Sequence, residues 1–67
     1  MKIILNNTEE FIDRDSITVS ELLKLRNFTF KMIVVKVNGT LIRKPDYNST
    51  HIFDGDVVMM LHLVSGG

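Results

Sequence analysis

Two glycines, Gly66 and Gly67, end the sequence directly after an apolar run that finishes at Leu63 and Val64. Glycine lacks a Cβ atom, so a terminal pair can pass through a narrow channel in which any side chain would clash. The α-carboxylate that follows is unhindered and, with a pKa of about 3.3–3.7, ionised at neutral pH. Such a carboxylate can attack the α-phosphorus of ATP to give an acyl-adenylate, whose carbonyl then accepts sulfur or another nucleophile. The pattern predicts a terminus that is modified at Gly67 and enters a partner's active site through Gly66 and Gly67.

A frayed tail without chemistry is the alternative, because chain termini are commonly disordered. Two features favour the chemical interpretation. The apolar run reaches almost to the last residue, and Met1 directly precedes the first predicted strand, so we expect the chain to be complete at both ends. We expect residues 1–67 to form a single domain with a flexible tail over 65–67.

Other chemistry finds little support in the sequence. The chain has no cysteine, which rules out a disulfide, a thiolate zinc site and a thiol nucleophile. His51 and His62 lack a spaced set of metal ligands, and Asp54-Gly55-Asp56 is too short a ligand series for a calcium loop. We expect His51 in a loop, His62 near a strand end and the Asp-Gly-Asp stretch in a tight turn.

Composition excludes several classes of partner. Lys+Arg and Asp+Glu both number 8 and the pI is near 6.7, so no charged footprint for nucleic acid exists. No apolar run approaches the ~20 residues that a membrane helix needs. The lack of cysteine fits a reducing cytosol, and we expect a cytoplasmic protein.

The first half of the chain predicts a hairpin followed by a helix. Residues 2–6 and 9–13 are short runs separated by turn residues, a pattern typical of a β-hairpin. Thr18 is followed three residues later by Glu21, which is a capping box and predicts a helix over about 19–26. A helix this short is marginal alone, so its apolar face must pack against a sheet.

The second half predicts strands. Residues 32–37 are apolar on both parities, as in an inner strand, and Asn38-Gly39 favours a hairpin turn to a short return strand over 40–42. We expect residues 45–52 to be irregular, with at most one helical turn, and 57–64 to form a central strand paired with the first. The predicted fold class is α+β: a β-grasp, ubiquitin-like roll with a mixed four- to five-stranded sheet and one main helix packed across it.

Alternation along the strands assigns their faces. We expect Val58 and Met60 to join Ile3 and Leu5 beneath the helix, while the parity that contains Lys2 faces solvent. Several exposed apolar side chains on one face favour a docking surface. The residues predicted to dock a partner are Ile4, Met59, Leu61 and Leu63.

Three stretches, "VNGTLIRKPDY", "FDGDVVMMLHLV" and the closing "SGG", resemble the ThiS family of sulfur carriers in thiamine (thiazole) biosynthesis. The resemblance covers the whole chain. Tyr47 stands where the family often has Trp, and the connection over 25–32 matches no family motif.

The resemblance implies a protein that is not an enzyme and binds no cofactor. A ThiF-like adenylating partner would consume ATP to adenylate Gly67, a cysteine desulfurase system would supply sulfur, and the resulting thiocarboxylate would donate it to thiazole synthase. No nucleic acid or membrane is implied as a partner.

Two alternatives stay open at this point. The small subunit of molybdopterin synthase, MoaD-like, has the same fold and the same Gly-Gly end. A plain ubiquitin-like interaction module would have an inert tail. An enzyme is disfavoured, because no nucleophile–base pair or metal set can be assembled from these residues.

Overall fold

A computed structural model describes residues 1–28 and 32–62 of the chain. It contains seven strands, one α-helix and one turn of 3-10 helix within those residues. The strands are β1 (Lys2–Leu5), β2 (Thr8–Phe11), β3 (Ser16–Thr18), β4 (Ile33–Val37), β5 (Thr40–Ile42), β6 (His51–Phe53) and β7 (Val57–His62); the helix is α1 (Val19–Leu25) and the 3-10 turn spans Lys44–Asp46.

The main sheet has five strands in the order β2-β1-β7-β4-β5. Strand β7 lies in its middle, parallel to β1 and antiparallel to β4. The prediction that the last strand pairs with the first is therefore confirmed. The parallel pairing is short: it joins Ile4 to Val57 and Leu5 to Val58.

Two-residue turns close both hairpins of this sheet. Asn6 and Asn7 connect β1 to β2, and Asn38 and Gly39 connect β4 to β5. All four have positive φ, between 50° and 83°, as the type I′ turn requires. Asparagine and glycine are the residues that adopt this conformation most readily, so sequence and turn type agree.

Helix α1 begins where the capping box predicted. The Thr18 N–H donates to Glu21 Oε1 (3.0 Å), and the Glu21 N–H donates to Thr18 Oγ1 (3.1 Å). The helix lies on one side of the sheet and buries Val19 and Leu22 completely. Seven residues would not hold a helix alone, so this burial is what stabilises it.

A second, two-stranded sheet was not predicted. Strand β3 pairs antiparallel with β6, and the central pair of that ladder, Ile17 and Ile52, is buried. The expectation that His51 lies in a loop is wrong, because it begins β6. Three residues are too few to show a strand period, and their partner lies more than 30 residues away in the chain, so local pattern could not identify this pair.

The core lies between α1 and the inner face of the main sheet. As predicted, Ile3, Leu5, Val58 and Met60 are buried there. The complete set of buried apolar residues is Ile3, Leu5, Ile12, Ile17, Val19, Leu22, Val35, Ile52, Val58 and Met60. Across residues 1–28 and 32–62, no helix has the length and apolar character needed to cross a membrane.

Candidate functional site

Strand β7 leads to the C-terminus, and it carries most of the predicted site. Its last described residue is His62. Leu63, Gly66 and Gly67 lie outside the described residues, so the predicted reactive terminus and one predicted docking residue are known by sequence alone. Ile4, Met59 and Leu61 lie within the structure.

The structure brings those three residues to one face of the main sheet, the side opposite α1, here called the open face. Leu61 is 45% exposed, whereas Ile4 and Met59 are half-buried. Ile4 pairs with Val57, two residues before Met59 on the same side of β7. The predicted alternation of β1 and β7 is therefore confirmed, and the docking role of these side chains stays a prediction.

Strands β4 and β5 extend the open face beyond what the sequence indicated. Val34 pairs with Leu61, and Lys36 pairs with Met59 on one side and with Leu41 on the other. Leu41 is 51% exposed. The apolar side chains of the open face among the described residues are Ile4, Phe11, Val34, Leu41, Val57, Met59 and Leu61.

Part of this extension could have been read from the sequence. The two-residue turn at Asn38-Gly39 sets Val37 opposite Thr40 and hence Lys36 opposite Leu41. The register of β4 on β7 cannot be predicted from local sequence, because a connection of about twenty residues joins the two strands. Val34 and Leu41 therefore could not be assigned to the predicted docking surface.

Lys2, Lys36 and Glu9 are charged side chains on the open face. Lys36 is exposed in the middle of the apolar side chains, and none of the ion pairs recorded in the described residues includes it. Lys2 Nζ lies 3.0 Å from Glu9 Oε2. The hydrogen bond to Glu9 and its negative charge raise the pKa of Lys2 above its ordinary 10.5. This pair is solvent-exposed, so it neutralises one edge of the face and adds little stability.

The start of β7 is held by two turns beside it, the β4–β5 hairpin turn and the turn that connects β6 to β7. Asn38 Oδ1 accepts a hydrogen bond from the Val57 N–H (2.9 Å), and the Asn38 N–H donates to the Val57 carbonyl (2.7 Å). Asp56 Oδ1 accepts from Asn38 Nδ2 (3.1 Å) and its Oδ2 accepts from the Phe53 N–H (2.9 Å). Asp56 therefore closes its own turn through Oδ2 and joins that turn to Asn38 through Oδ1. The prediction of a tight turn at Asp54-Gly55-Asp56 is confirmed.

The histidines and carboxylates form no ligand cluster in the described part of the chain. No three His, Cys, Asp or Glu side chains converge there. Asp54 Oδ1 accepts a hydrogen bond from the Lys2 N–H (2.7 Å), and the His51 ring stacks near Phe53, with ring centroids 6.3 Å apart. These residues stabilise loops and strands and are not arranged as a metal site.

A groove of about 630 Å³ adjoins the open face at the end of β5. Val34 and Leu41 line one side of it, and Leu23 of α1 lines another. The side chains of Arg43 and Lys44, both exposed, give its rim positive charge. The apolar character of the open face therefore continues around the β5 edge.

Comparisons with known proteins agree on one family. A family model described as the ThiS family matches residues 2–67. The sulfur carrier protein ThiS of Bacillus subtilis (strain 168) is 30% identical over 63 residues, which are 94% of this chain and 96% of that protein. The likeness to curated proteins therefore spans nearly the full length of both chains.

Solved structures match equally completely. The crystal structure of the thiamine biosynthesis protein ThiS from Geobacter metallireducens superposes with a TM-score of 0.90 at 28% identity and covers all of both chains. A solution structure of a thiamine biosynthesis protein from the same organism gives a TM-score of 0.81 at 28% identity, covering all of this chain and 88% of the other. The β-grasp, ubiquitin-like fold is thus shown by structural likeness as well as by the strand order.

Proposed function

Because the chain belongs to the ThiS family, we propose that it carries sulfur for thiamine biosynthesis on the terminal carboxylate of Gly67. The protein is a carrier and not a catalyst. The enzymes that act on it supply the reactive groups, and the chain supplies a carboxyl group and a surface that docks them.

The structural observation that carries the proposal concerns β7. This strand is the middle of the main sheet, it contributes Met59 and Leu61 to the apolar open face, and it leads directly toward Gly67. Docking of the open face therefore brings the terminus close to the partner, because residues 63–66 alone separate the described end of β7 from Gly67. Holding the reacting groups together in this way lowers the barrier by several kcal/mol through effective concentration.

The chemistry begins on an adenylating partner of the ThiF type. A Gly67 carboxylate oxygen attacks the α-phosphorus of ATP, pyrophosphate leaves, and an acyl-adenylate forms. The terminal sulfur of a persulfide, supplied by a cysteine desulfurase system, then attacks the acyl carbonyl and displaces AMP. A thiol reductant cleaves the S–S bond of the resulting acyl disulfide and is itself oxidised to a disulfide. The product is a thiocarboxylate, which donates its sulfur to thiazole synthase.

The lack of cysteine supports the terminal carboxyl group as the site that carries sulfur. The chain has no cysteine, so it cannot hold sulfur as a persulfide of its own. ATP is consumed on the partner, and the carrier needs no bound cofactor. We place this chemistry in the cytoplasm, where thiols stay reduced.

Intact-protein mass spectrometry tests the proposal. The chain is incubated with its cognate adenylating partner, ATP and a sulfur source, and the expected product has one oxygen exchanged for sulfur at Gly67. A reaction without ATP is the control. The partner is first shown to be active on another carrier. If it then leaves the mass of this chain unchanged, the proposal is overturned and an inert interaction module is favoured.

A truncation locates the site of modification. Deletion of Gly67 should abolish the sulfur gain while leaving the fold, monitored by circular dichroism, unchanged. Sulfur on the truncated chain would contradict the assignment of the terminus. Copurification distinguishes the pathways: a thiazole synthase supports the proposal, and a large subunit of molybdopterin synthase contradicts it.

A further inference from the structure

Strand β7 extends further than its parallel neighbour, β1. β1 pairs with it only as far as Leu5 and Val58, and the chain then turns away through Asn6 and Asn7 into β2. On its other side β7 remains paired with β4 as far as His62. From Met60 onward, therefore, no residue of β1 or β2 pairs with the β1-facing edge of the strand.

The side chain of Asn6 takes the place of that missing neighbour. Its Oδ1 accepts a hydrogen bond from the Met60 N–H (2.8 Å), and its Nδ2 donates to the Met60 carbonyl (3.1 Å). The Asn6 N–H also donates to the Val58 carbonyl (2.9 Å). A side-chain amide has one donor group and one acceptor in the same plane, so it substitutes for one peptide unit of β1.

Few residues can make this clamp. Asn6 has a φ of 50°, in the left-handed region, which asparagine tolerates because its side chain is short and polar. Aspartate offers no donor to the Met60 carbonyl when it is ionised. The next residue, Asn7, has a similar φ of 67° and is exposed, and none of the side-chain hydrogen bonds found in the described residues is made by it.

We propose that Asn6 is a positioning residue for the carrier terminus, an inference that rests on the function proposed above. Met60 pairs with Val35 of β4 on one edge and is held by Asn6 on the other, so the clamp fixes the direction in which β7 runs toward the terminus. Without the clamp, Met60 is held by β4 alone, so the end of β7 is less firmly fixed and a smaller fraction of docked complexes brings Gly67 to ATP.

Three glycine substitutions separate this role from general stabilisation. Asn6→Gly keeps the left-handed backbone and deletes the clamp. Asn7→Gly adds the same flexibility to the same turn and leaves the clamp intact. Asn38→Gly removes a side-chain hydrogen bond at the opposite end of β7, where Asn38, with a φ of 51°, accepts from the Val57 N–H.

Two measurements are made on each variant, well below its unfolding temperature. In Asn6→Gly alone, the Met60 amide should exchange its hydrogen faster, and the maximal rate of thiocarboxylate formation at saturating partner should fall roughly three- to tenfold, because misplaced reactants lose effective concentration. The half-saturating partner concentration should stay within about twofold, since Ile4 and Met59 keep their strand pairing.

The outcomes are distinguishable. Asn6 does not position the terminus if Asn6→Gly retains the wild-type maximal rate of thiocarboxylate formation. The same conclusion follows if Asn38→Gly, at equal stability, lowers that rate as much as Asn6→Gly does. If the wild-type chain itself gains no sulfur, the proposed function fails and the positioning role fails with it. Should Asn6→Gly not fold, Asn6→Asp, which keeps only the acceptor for the Met60 N–H, is tested by the same criteria.

Discussion

Lys36 lies directly opposite Met59 across the β4–β7 pair, so a charged ammonium group sits within the apolar open face. The register of the neighbouring hairpin places Leu41 on its other side. A partner that covers this face must either leave Lys36 in water or meet it with an acidic group. Interfaces commonly arrange opposite charges in this way, which accelerates encounter.

Neutralising Lys36 should slow association with the adenylating partner. For Lys36→Gln we expect an association rate constant several-fold lower at low salt, and a difference that shrinks as salt screens the charges. Lys24→Gln, an equal change on an exposed residue of α1, is the matched control. Equal rates for both variants at low salt would contradict an acidic counterpart opposite Lys36.

Shortening Leu61 should weaken docking without unfolding the carrier. Leu61→Ser removes an exposed apolar side chain from the open face, and we expect a loss of affinity of roughly tenfold or more, as for a central interface residue. Phe53→Ser is the control, because Phe53 is 55% exposed on β6, outside the main sheet. Isothermal titration measures the affinity of both variants for the adenylating partner. Similar losses of affinity would show that the interface lies elsewhere.

A side chain at position 66 should block chemistry and spare docking. Gly66→Val adds a branched Cβ to the segment proposed to enter the partner's active site, where a narrow channel would admit glycine and exclude a larger side chain. We expect binding to the adenylating partner to change by less than about twofold and thiocarboxylate formation to be lost. Mass spectrometry measures thiocarboxylate formation, and titration measures binding to the partner. Rapid modification of the Gly66→Val variant would show that the channel is wide enough for a side chain.

Stability should depend on the helix–sheet contact. Leu22 is fully buried, and Leu22→Ala should cost about 2–5 kcal/mol. A domain of this size has only about 3–5 kcal/mol of net stability, so the variant should be largely unfolded in urea at concentrations that the wild type resists. Leu25→Ala, at a 54% exposed position of the same helix, should change the free energy of unfolding by less than about 0.5 kcal/mol.

Acid should weaken the helix cap. Hydrogen bonds from the Thr18 backbone and side chain, together with the charge of Arg14, lower the pKa of Glu21 below its ordinary 4.5. A carboxylate whose pKa is lower in the folded state stabilises the fold above that ordinary value, and this contribution disappears as pH falls through the folded-state pKa.

Glu21→Gln isolates this contribution. Glutamine keeps an oxygen acceptor for the Thr18 N–H and does not titrate. The melting temperature of the variant should therefore lie below that of the wild type at neutral pH, and the gap should close as the pH drops below 4.5. A gap of constant size across this range would show that the ionisation of Glu21 has no effect on stability.

The sequence alone determined every feature whose cause is local. The Asn-Gly and Asn-Asn turns, the capping box of Thr18 and Glu21, and the alternation of β1 and β7 depend on neighbours a few residues apart. Those signals were enough for the β-grasp fold and for the sorting of Ile4, Met59 and Leu61 onto one face. The chemistry proposed at Gly67 came from the terminal glycine pair and the resemblance to the ThiS family.

The tertiary structure decided what depends on contacts between distant segments. The β3–β6 pair and the strand position of His51 arise from Ile17 meeting Ile52, and the widening of the open face arises from β4 settling on β7 in one register. The Asn6 clamp on Met60 joins residues 54 apart. A side chain's partners across a sheet are set by strand register, and a three-residue strand or a single asparagine carries no periodic signal from which that register can be read.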